Sequence, residues 1–298
     1  MYIVLGASGN TGHVVAQNLL ARQQKVRVVG RNAAHLQAHG AQGAEIFVGD
    51  VTDRSALTKA FHKSDSAYVM IPPNPTGTDP LGYAERASDA ITAALKSTEV
   101  KNVVALSSVG ADKPNGTGPV VGLHHFEQKL NQLDSNVLAL RAGYFMENTL
   151  PQVGAIRMAG SVVGPIRPDL KLPIIATQDI GAAVTDALLR FAFRGKHTQE
   201  LLGQRDLDYT EVATIIGKAI GKPNLGYVHL PDDQVRAGLL QSGMSDKFAG
   251  LIIEMAAALN SGFMKALEHR ASKNTTPTPY ETFVAESFLP AYRQQAAA

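Results

Sequence analysis

The stretch that decides the fold reads Gly6-Ala7-Ser8-Gly9-Asn10-Thr11-Gly12, and it follows the apolar run Tyr2–Leu5 without a break. Residues 14–20 then place apolar side chains at helical spacing. Glycine permits a tight turn, lets a pyrophosphate approach bare backbone, and allows the new helix to pack closely on its strand. The order strand, glycine-rich turn, helix therefore predicts a dinucleotide site rather than an ordinary turn.

The same stretch supplies the first predicted cofactor-binding residues. The first N–H groups of the predicted helix face the phosphates, where the helix dipole favours negative charge. The residues expected to contact the cofactor here are Gly6, Ser8, Gly9, Asn10, Thr11 and Gly12.

Composition limits the classes of function. The 298 residues suffice for one large domain or two modest ones, and 45% hydrophobic residues with 18% charged residues are typical of a soluble globular protein. A net charge of +2 is too small to indicate nucleic-acid binding. The absence of cysteine excludes disulfides, thiolate metal sites and cysteine nucleophiles. The nine histidines show no metal-like spacing, so no metal is expected.

The N-terminus and the hydropathy pattern bear on location. Met1 leads directly into the first predicted strand, which leaves no room for a signal peptide. No uncharged apolar run approaches the roughly 18 residues of a membrane span. We therefore expect a cytoplasmic protein without a membrane partner.

Strand-like and helix-like segments alternate over the first half of the chain. Apolar runs rich in β-branched residues predict strands at 25–29, 44–48, 67–71, 102–106 and 136–140. Helical patterns lie between them, at 33–38, 54–61, 83–96 and 122–133. Thr52 or Asp53 is the expected cap of the second of these. This alternation predicts an α/β fold, a Rossmann doubly wound parallel sheet with its ligand beyond the carboxyl ends of the strands.

The regular alternation ends after Gly143, where glycine and proline become frequent. Asp179 is the expected cap of a helix that runs to about Arg194, a strand-like piece follows at 227–230, and 248–259 is helical. We predict an NADP-binding Rossmann domain over 1–150, rejoined by about 176–194. A smaller, discontinuous C-terminal substrate-binding lobe takes 151–175 and 195–298.

The end of the second predicted strand distinguishes NAD from NADP. NAD sites place an acidic residue there for the ribose 2′-hydroxyl, but this strand runs into Arg31, and the first acidic residue of the chain is Glu45. A guanidinium matches phosphate oxygens in fork geometry. We therefore predict NADPH (NADP) as the cofactor, with a solvated surface arginine as the alternative for Arg31. Asp50 and Val51 follow the third strand, where the adenine is expected, although Asp50 could instead cap a helix.

Three segments, together with the pattern GxxGxxG and Arg31, resemble the NmrA-like family of atypical short-chain dehydrogenases/reductases. They are 140–148, 175–181, and 209–213 with Gly221-Lys222-Pro223 and Tyr227-Val228. The resemblance covers roughly residues 1–230. It implies a Rossmann fold and either an NADPH-dependent quinone or dye reductase or a protein that binds the dinucleotide without turnover and acts as a redox sensor.

The usual catalytic pair of that superfamily, Tyr-x-x-x-Lys, is missing, since none of the eight tyrosines has a lysine four residues later. His125 and Lys129 share a helical face and are the candidate replacement, because histidine exchanges protons near neutral pH. The resemblance gives a different alignment: Glu127 stands fourteen residues before Arg141, which makes His124 or its neighbour the equivalent base and leaves Lys129 outside. A solvated helix face is the alternative for both candidates.

Other residues are expected near the nicotinamide end of the cofactor. Ile71 ends the fourth predicted strand, Pro72 follows it, and Ser107 lies at the end of the fifth, so all three are predicted to contact the cofactor. Arg141 and Glu147 are expected to form structural pairs. The predicted substrate-binding residues are Ser108, His124, Tyr144, Phe145 and Asn148.

These features favour an NADPH-dependent oxidoreductase that passes hydride to a quinone or a similar conjugated acceptor. A quinone needs little acid catalysis, which agrees with the missing tyrosine. The alternative is a noncatalytic NADP(H)-binding sensor that acts through a protein partner. An epimerase or isomerase is disfavoured, because such enzymes normally keep Tyr-x-x-x-Lys. The expected partner is a small-molecule acceptor, with no direct contact to nucleic acid and with a homodimer as one possible assembly.

Overall fold

A seven-stranded parallel sheet forms the centre of the protein in the computed structural model, which describes residues 1–294. The strands are β1 (Tyr2–Leu5), β2 (Val26–Gly30), β3 (Glu45–Val48), β4 (Ser66–Val69), β5 (Asn102–Ser108), β6 (Asn136–Ala142), β7 (Tyr144–Phe145), β8 (Val162–Gly164), β9 (Leu172–Ile175), β10 (Lys196–Leu201), β11 (Asp206–Leu207) and β12 (Tyr227–His229). The order in the main sheet is β3-β2-β1-β4-β5-β6-β10, and every pair is parallel. This confirms the predicted doubly wound sheet, whose order reverses between β1 and β4.

Helices cover both faces of this sheet, and further helices belong to the later part of the chain. They are α1 (Asn10–Ala21), α2 (Gln37–Ala41), α3 (Arg54–Phe61), α4 (Pro80–Ser97), α5 (Val120–Leu130), α6 (Gln152–Ala159), α7 (Thr177–Arg190), α8 (Tyr209–Ala219), α9 (Asp232–Gln241), α10 (Asp246–Asn260), α11 (Tyr280–Phe283) and α12 (Leu289–Gln294). Among the described helices, none is long and apolar enough to cross a membrane.

Side chains of the central strands are buried on both faces, which explains why these strands read as continuous apolar runs. In β1, Ile3 and Leu5 join the core under α3, α4 and α5, whereas Val4 joins the core under α1 and α7. Successive side chains of a strand point to opposite faces, so one short run serves two cores.

A third core belongs to the later part of the chain. It joins side chains of α6, α8 and α10 with the segment after α11, for example Ile156, Val212, Ala256 and Phe288. Two small sheets, β11-β9-β7 and β12-β8, lie in this part. The helix α7 returns to the main sheet and packs on α1, where a Cβ at Gly181 would lie 2.6 Å from atoms of Val14.

The boundary predicted at residue 195 was wrong. Lys196–Leu201 does not join the smaller lobe; it forms β10 and pairs with β6 at the edge of the main sheet. Its sequence, KHTQEL, lacks the apolar run that predicts a buried strand. The polar residues are tolerated because the first half of this edge strand faces solvent.

Helix caps agree with the sequence at one position and differ at another. Asp53 caps α3 by accepting a hydrogen bond from the backbone N–H of Ala56 at 3.0 Å, as predicted for one of two candidates. The prediction that Asp179 caps a helix running to about Arg194 was wrong. The helix α7 begins at Thr177 and ends at Arg190, and the Asp179 carboxylate instead accepts hydrogen bonds from Thr278.

Candidate active site

The glycine turn between β1 and α1 has the geometry that a phosphate-binding turn requires. Gly6 has a φ of +64°, and a Cβ there would lie 2.9 Å from the sulfur of Met70. The N–H of Gly9 donates to the Gly6 carbonyl at 2.9 Å. A Cβ at Gly12 would lie 2.3 Å from that same carbonyl oxygen, so the close contact between α1 and the turn depends on this glycine.

The other predicted residues of the turn divide into an exposed rim and a buried base. Ser8, Gly9 and Asn10 are exposed at the start of α1, whose first turn carries no acidic side chain. Thr11 is buried, and its hydroxyl shares a hydrogen bond of 2.9 Å with the hydroxyl of Tyr68 on β4. An anion can therefore approach the first N–H groups of α1 from the rim, while Thr11 holds the helix against the sheet.

Arg31 and Asp50 lie at the same end of the sheet. Arg31 is exposed directly after β2, and Asp50 accepts hydrogen bonds from the N–H and hydroxyl of Thr52 at 2.8 and 2.6 Å. Both act on Tyr83 of α4: burial raises the pKa of Tyr83, the charge of Asp50 raises it further, and the charge of Arg31 opposes them. Glu45, the first acid of the chain, pairs with Arg27 at the start of the strands, away from Arg31.

Val51, the residue after Asp50, lies in the core and not at the surface. Val51 is buried in the core that α3 and α4 cover, so its side chain is engaged in packing.

A cavity of about 340 Å³ lies beyond the carboxyl ends of β4, β5 and β6. Its lining contains many of the residues predicted for the cofactor and the substrate. Those in its lining are Ile71, Pro72, Ser107, Ser108, Tyr144, Phe145 and Asn148.

A second group of residues in the lining was not predicted from the sequence. It comes from one face of α10, formed by Phe248, Leu251, Met255 and Leu259, and from Met264 beyond it. The spacing of these side chains indicates a buried helix face. The surface that this face covers depends on how α10 docks. Because α10 follows β6 by about 100 residues, local sequence does not indicate that the two border the same cavity.

A buried ion pair supports the floor of the cavity. The Ser107 hydroxyl donates to Oε1 of Glu127, and Arg141 donates to both oxygens of Glu127, from Nε at 3.0 Å and from Nη2 at 2.7 Å. Glu127 is only 4% exposed. Its hydrogen bond raises the pKa of Arg141, which stays charged. Because Ser107 uses its proton on Glu127, only lone pairs of its oxygen remain for a ligand.

The predicted proton donors lie elsewhere. His125 is exposed, Lys129 pairs with Asp89 of α4, and Nδ1 of His124 lies 2.9 Å from the Ala111 carbonyl oxygen. The cavity lining includes none of the three. In α5, Gly122 and Leu123 face the cavity, and the face that His125 shares with Lys129 is turned toward solvent and α4. The catalytic role predicted for His125 and Lys129 therefore finds no support in their placement.

The polar groups of the lining are weak acids or neutral donors. Burial raises the pKa of Tyr144, whose ring meets that of Tyr209 edge to face at 6.4 Å. The Ser108 hydroxyl donates to the Val109 carbonyl at 2.9 Å. Asn148 adds an amide. The arrangement can hold a flat apolar molecule and donate hydrogen bonds to its oxygen atoms, and the described residues contain no cluster that could hold a metal ion.

Glu147, which was predicted to form a structural pair, binds the first residue of α7. Glu147 accepts hydrogen bonds from the N–H of Thr177 at 3.0 Å and from its hydroxyl, so it fixes the start of α7. Burial raises the pKa of Glu147, and the bonds from Thr177 oppose that effect.

Known proteins resemble this chain over nearly its whole length. It is 26% identical to the NAD(P)H azoreductase of Xenophilus azovorans, with 95% of each chain covered. It is 28% identical to quinone oxidoreductase 2 of Escherichia coli strain K12, with 88% of this chain and 89% of that protein covered. The crystal structure of the NADPH-dependent quinone oxidoreductase of Escherichia coli in complex with NADPH superposes with a TM-score of 0.79, at 24% identity, covering 97% of this chain and 98% of that one. The sequence profile of the NmrA-like family matches residues 2–283. This chain is a member of the NmrA-like family.

Proposed function

We propose that this protein is an NADPH-dependent oxidoreductase that transfers a hydride to a quinone or a similar conjugated acceptor. The observation that carries the proposal is the apolar cavity at the carboxyl ends of β4, β5 and β6, at the same sheet edge as the glycine turn. Ligands of doubly wound sheets bind at that edge. The names of the two sequence relatives, an azoreductase and a quinone oxidoreductase, agree with a conjugated acceptor.

The residues present fit NADPH. The glycine turn and the start of α1, around Ser8, Gly9 and Asn10, would hold the pyrophosphate, because the first N–H groups of α1 face an anion that approaches its N-terminus. Arg31 would hold the 2′-phosphate, and no acid of the chain precedes Glu45 to repel it. Asp50 and the backbone of Val51 would border the adenine.

The nicotinamide side fits as well. Ile71, Pro72 and Ser107 line the part of the cavity nearest the switch between β1 and β4, and they would border the nicotinamide. The network of Ser107, Glu127 and Arg141 fixes the hydroxyl oxygen as an acceptor there. Such an oxygen suits an amide N–H rather than another carbonyl.

The cofactor, when bound, supplies the hydride. The quinone gains that hydride and one proton from water, and it leaves as the hydroquinone. The protein has to position the acceptor and exclude water. The apolar wall of α10 and the rings of Tyr144 and Phe145 would orient the acceptor, while Asn148 and the Tyr144 hydroxyl would donate hydrogen bonds to its oxygen atoms.

Steady-state oxidation of NADPH with a panel of quinones and azo dyes tests this function. We expect turnover of about 1 s⁻¹ or faster with at least one quinone. Formation of one hydroquinone per NADPH consumed would establish the stoichiometry. Tight binding of NADPH without turnover of any acceptor would overturn the proposal and favour a sensor.

A further inference from the structure

The lining of the cavity carries no formal charge. Among residues 1–294, the side chains that border it are aliphatic, aromatic, prolyl, or neutral and polar, and they include no lysine, arginine, histidine, aspartate or glutamate. The polar members are Asn74, Tyr83, Ser107, Ser108, Tyr144 and Asn148. Each of them is uncharged at neutral pH.

Three cations on the surrounding elements are already paired with acids. Arg86 of α4 pairs with Asp79 at 3.2 Å, and Lys129 of α5 pairs with Asp89. Arg141 of β6 is neutralised by Glu127 beneath the floor. None of these three belongs to the lining, so the lining itself offers no counter-charge to an anionic group inside the cavity.

One apolar wall of the cavity is the face of α10. Phe248, Leu251, Met255 and Leu259 form it, and Met264 extends it. Gly118 lies so close to this helix that a Cβ there would be 2.0 Å from the Leu251 carbonyl oxygen. This close contact with the loop before α5 fixes the wall opposite Tyr144 and Phe145.

From these observations we propose that the site selects electrically neutral, lipophilic acceptors and rejects acceptors that carry a carboxylate or sulfonate near the ring. The inference rests on the proposed function and adds the charge class of its substrate. Burial of an ionised group without a partner is costly, whereas a neutral ring gains from apolar contact. The selectivity therefore comes from the penalty against the anion.

A matched pair of acceptors tests the proposal. The probes are a menadione with a saturated side chain that ends in a carboxylate and the methyl ester of the same compound. The saturated chain insulates the quinone ring, so the two have nearly the same reduction potential. We expect kcat/KM for the ester to exceed that for the acid by about tenfold or more, which is about 1.4 kcal/mol.

A positive charge placed on the α10 wall should abolish this preference. Leu251 is half-buried, so Leu251→Arg has room to reach the cavity. We expect it to lower the ratio of ester to acid by at least about tenfold. Leu240→Arg is the matched control, because Leu240 is exposed on α9 and outside the lining, and the same charge there should leave the ratio unchanged. If Leu251→Arg does not fold, Met255→Lys makes the same test from the next turn.

The outcomes separate the inference from the proposed function. If the unmodified protein binds NADPH but reduces neither probe nor any other acceptor, the proposed function fails. If it reduces acid and ester equally well, the function stands and the charge selectivity is wrong. If the ester is preferred but the variant that folds keeps the original ratio, the acceptor does not lie against α10 and the inference is overturned.

Discussion

The glycine turn and the apolar cavity lie at the same edge of the sheet, but they are built in different ways. The turn uses backbone atoms of seven consecutive residues, Gly6 to Gly12, and two of its glycines have no room for a side chain. The cavity uses side chains from segments between Met70 and Met264. Those two positions of the turn therefore require glycine, whereas the cavity can change its ligand by exchanging apolar residues of similar volume.

The two regions also differ in what supports them. Beneath the turn, Thr11 and Tyr68 share one neutral hydrogen bond. Beneath the cavity, Ser107 rests on a buried pair of opposite charges, Glu127 and Arg141. Loss of one partner of such a pair leaves a buried charge uncompensated, so the cavity side should be the more sensitive to a single polar substitution.

The largest effect should follow from breaking that pair. Arg141→Met leaves Glu127 buried without its cation and should lower the free energy of unfolding by about 3 kcal/mol. Lys129→Met is the control on the neighbouring helix, because its pair with Asp89 is partly exposed and should contribute about 1 kcal/mol or less. Urea titrations measure both, and equal losses would contradict the contrast.

A substitution in the turn should remove binding while the fold survives. A Cβ at Gly9 meets only the Gly6 carbonyl oxygen, at 3.3 Å, so Gly9→Val should fold, but its branches occupy the space that a pyrophosphate needs. We expect NADPH affinity to fall at least about a hundredfold, which is about 2.8 kcal/mol. Gly154→Val is the control, since no atom lies within 4 Å of a Cβ there. Calorimetric titration and a melting curve check both variants, and normal binding by Gly9→Val would place the phosphates elsewhere.

Arg31 tests nucleotide choice alone. The unmodified protein should bind NADPH at least tenfold more tightly than NADH, about 1.4 kcal/mol, and Arg31→Ala should remove most of that difference without weakening NADH. Arg22→Ala, at the far end of α1, should change neither affinity. Equal dissociation constants for the two nucleotides in the unmodified protein would refute the assignment.

A smaller effect is expected on the acceptor side. Asn148→Ala removes one hydrogen-bond donor from the cavity lining and should raise KM for a quinone about fivefold with kcat nearly unchanged, the mark of lost uniform binding. Initial rates at saturating NADPH measure the two constants. A fall in kcat with KM unchanged would instead give Asn148 a role in the transition state.

The smallest effect is expected at His125. A proton donor that is used contributes about 10²–10⁴-fold, but His125 is exposed and outside the lining. His125→Ala should therefore change kcat by less than about twofold. A collapse of kcat with NADPH affinity intact would show that the histidine reaches the acceptor after all.

The sequence predicted those features whose residues are close together in the chain. The run Tyr2–Leu5, the glycine turn and the start of α1 are contiguous, so their spacing alone specifies a strand, a turn and a helix. The sheet order follows from general rules of handedness and connection once strands and helices alternate. Asp53 could be identified as a cap candidate because it lies three residues from the N–H that it binds.

Tertiary structure decided the features that join distant residues. The polar segment Lys196–Leu201 becomes a strand only because β6 offers it a free edge. Asp179 leaves its expected capping role because Thr278, 99 residues later, supplies its hydrogen bonds. The docking of α10 sets which side chains face the acceptor, and the packing of α5 turns His125 away from it. Local spacing fixes which face of a helix is apolar, but the surface that this face covers depends on contacts between elements far apart in the chain.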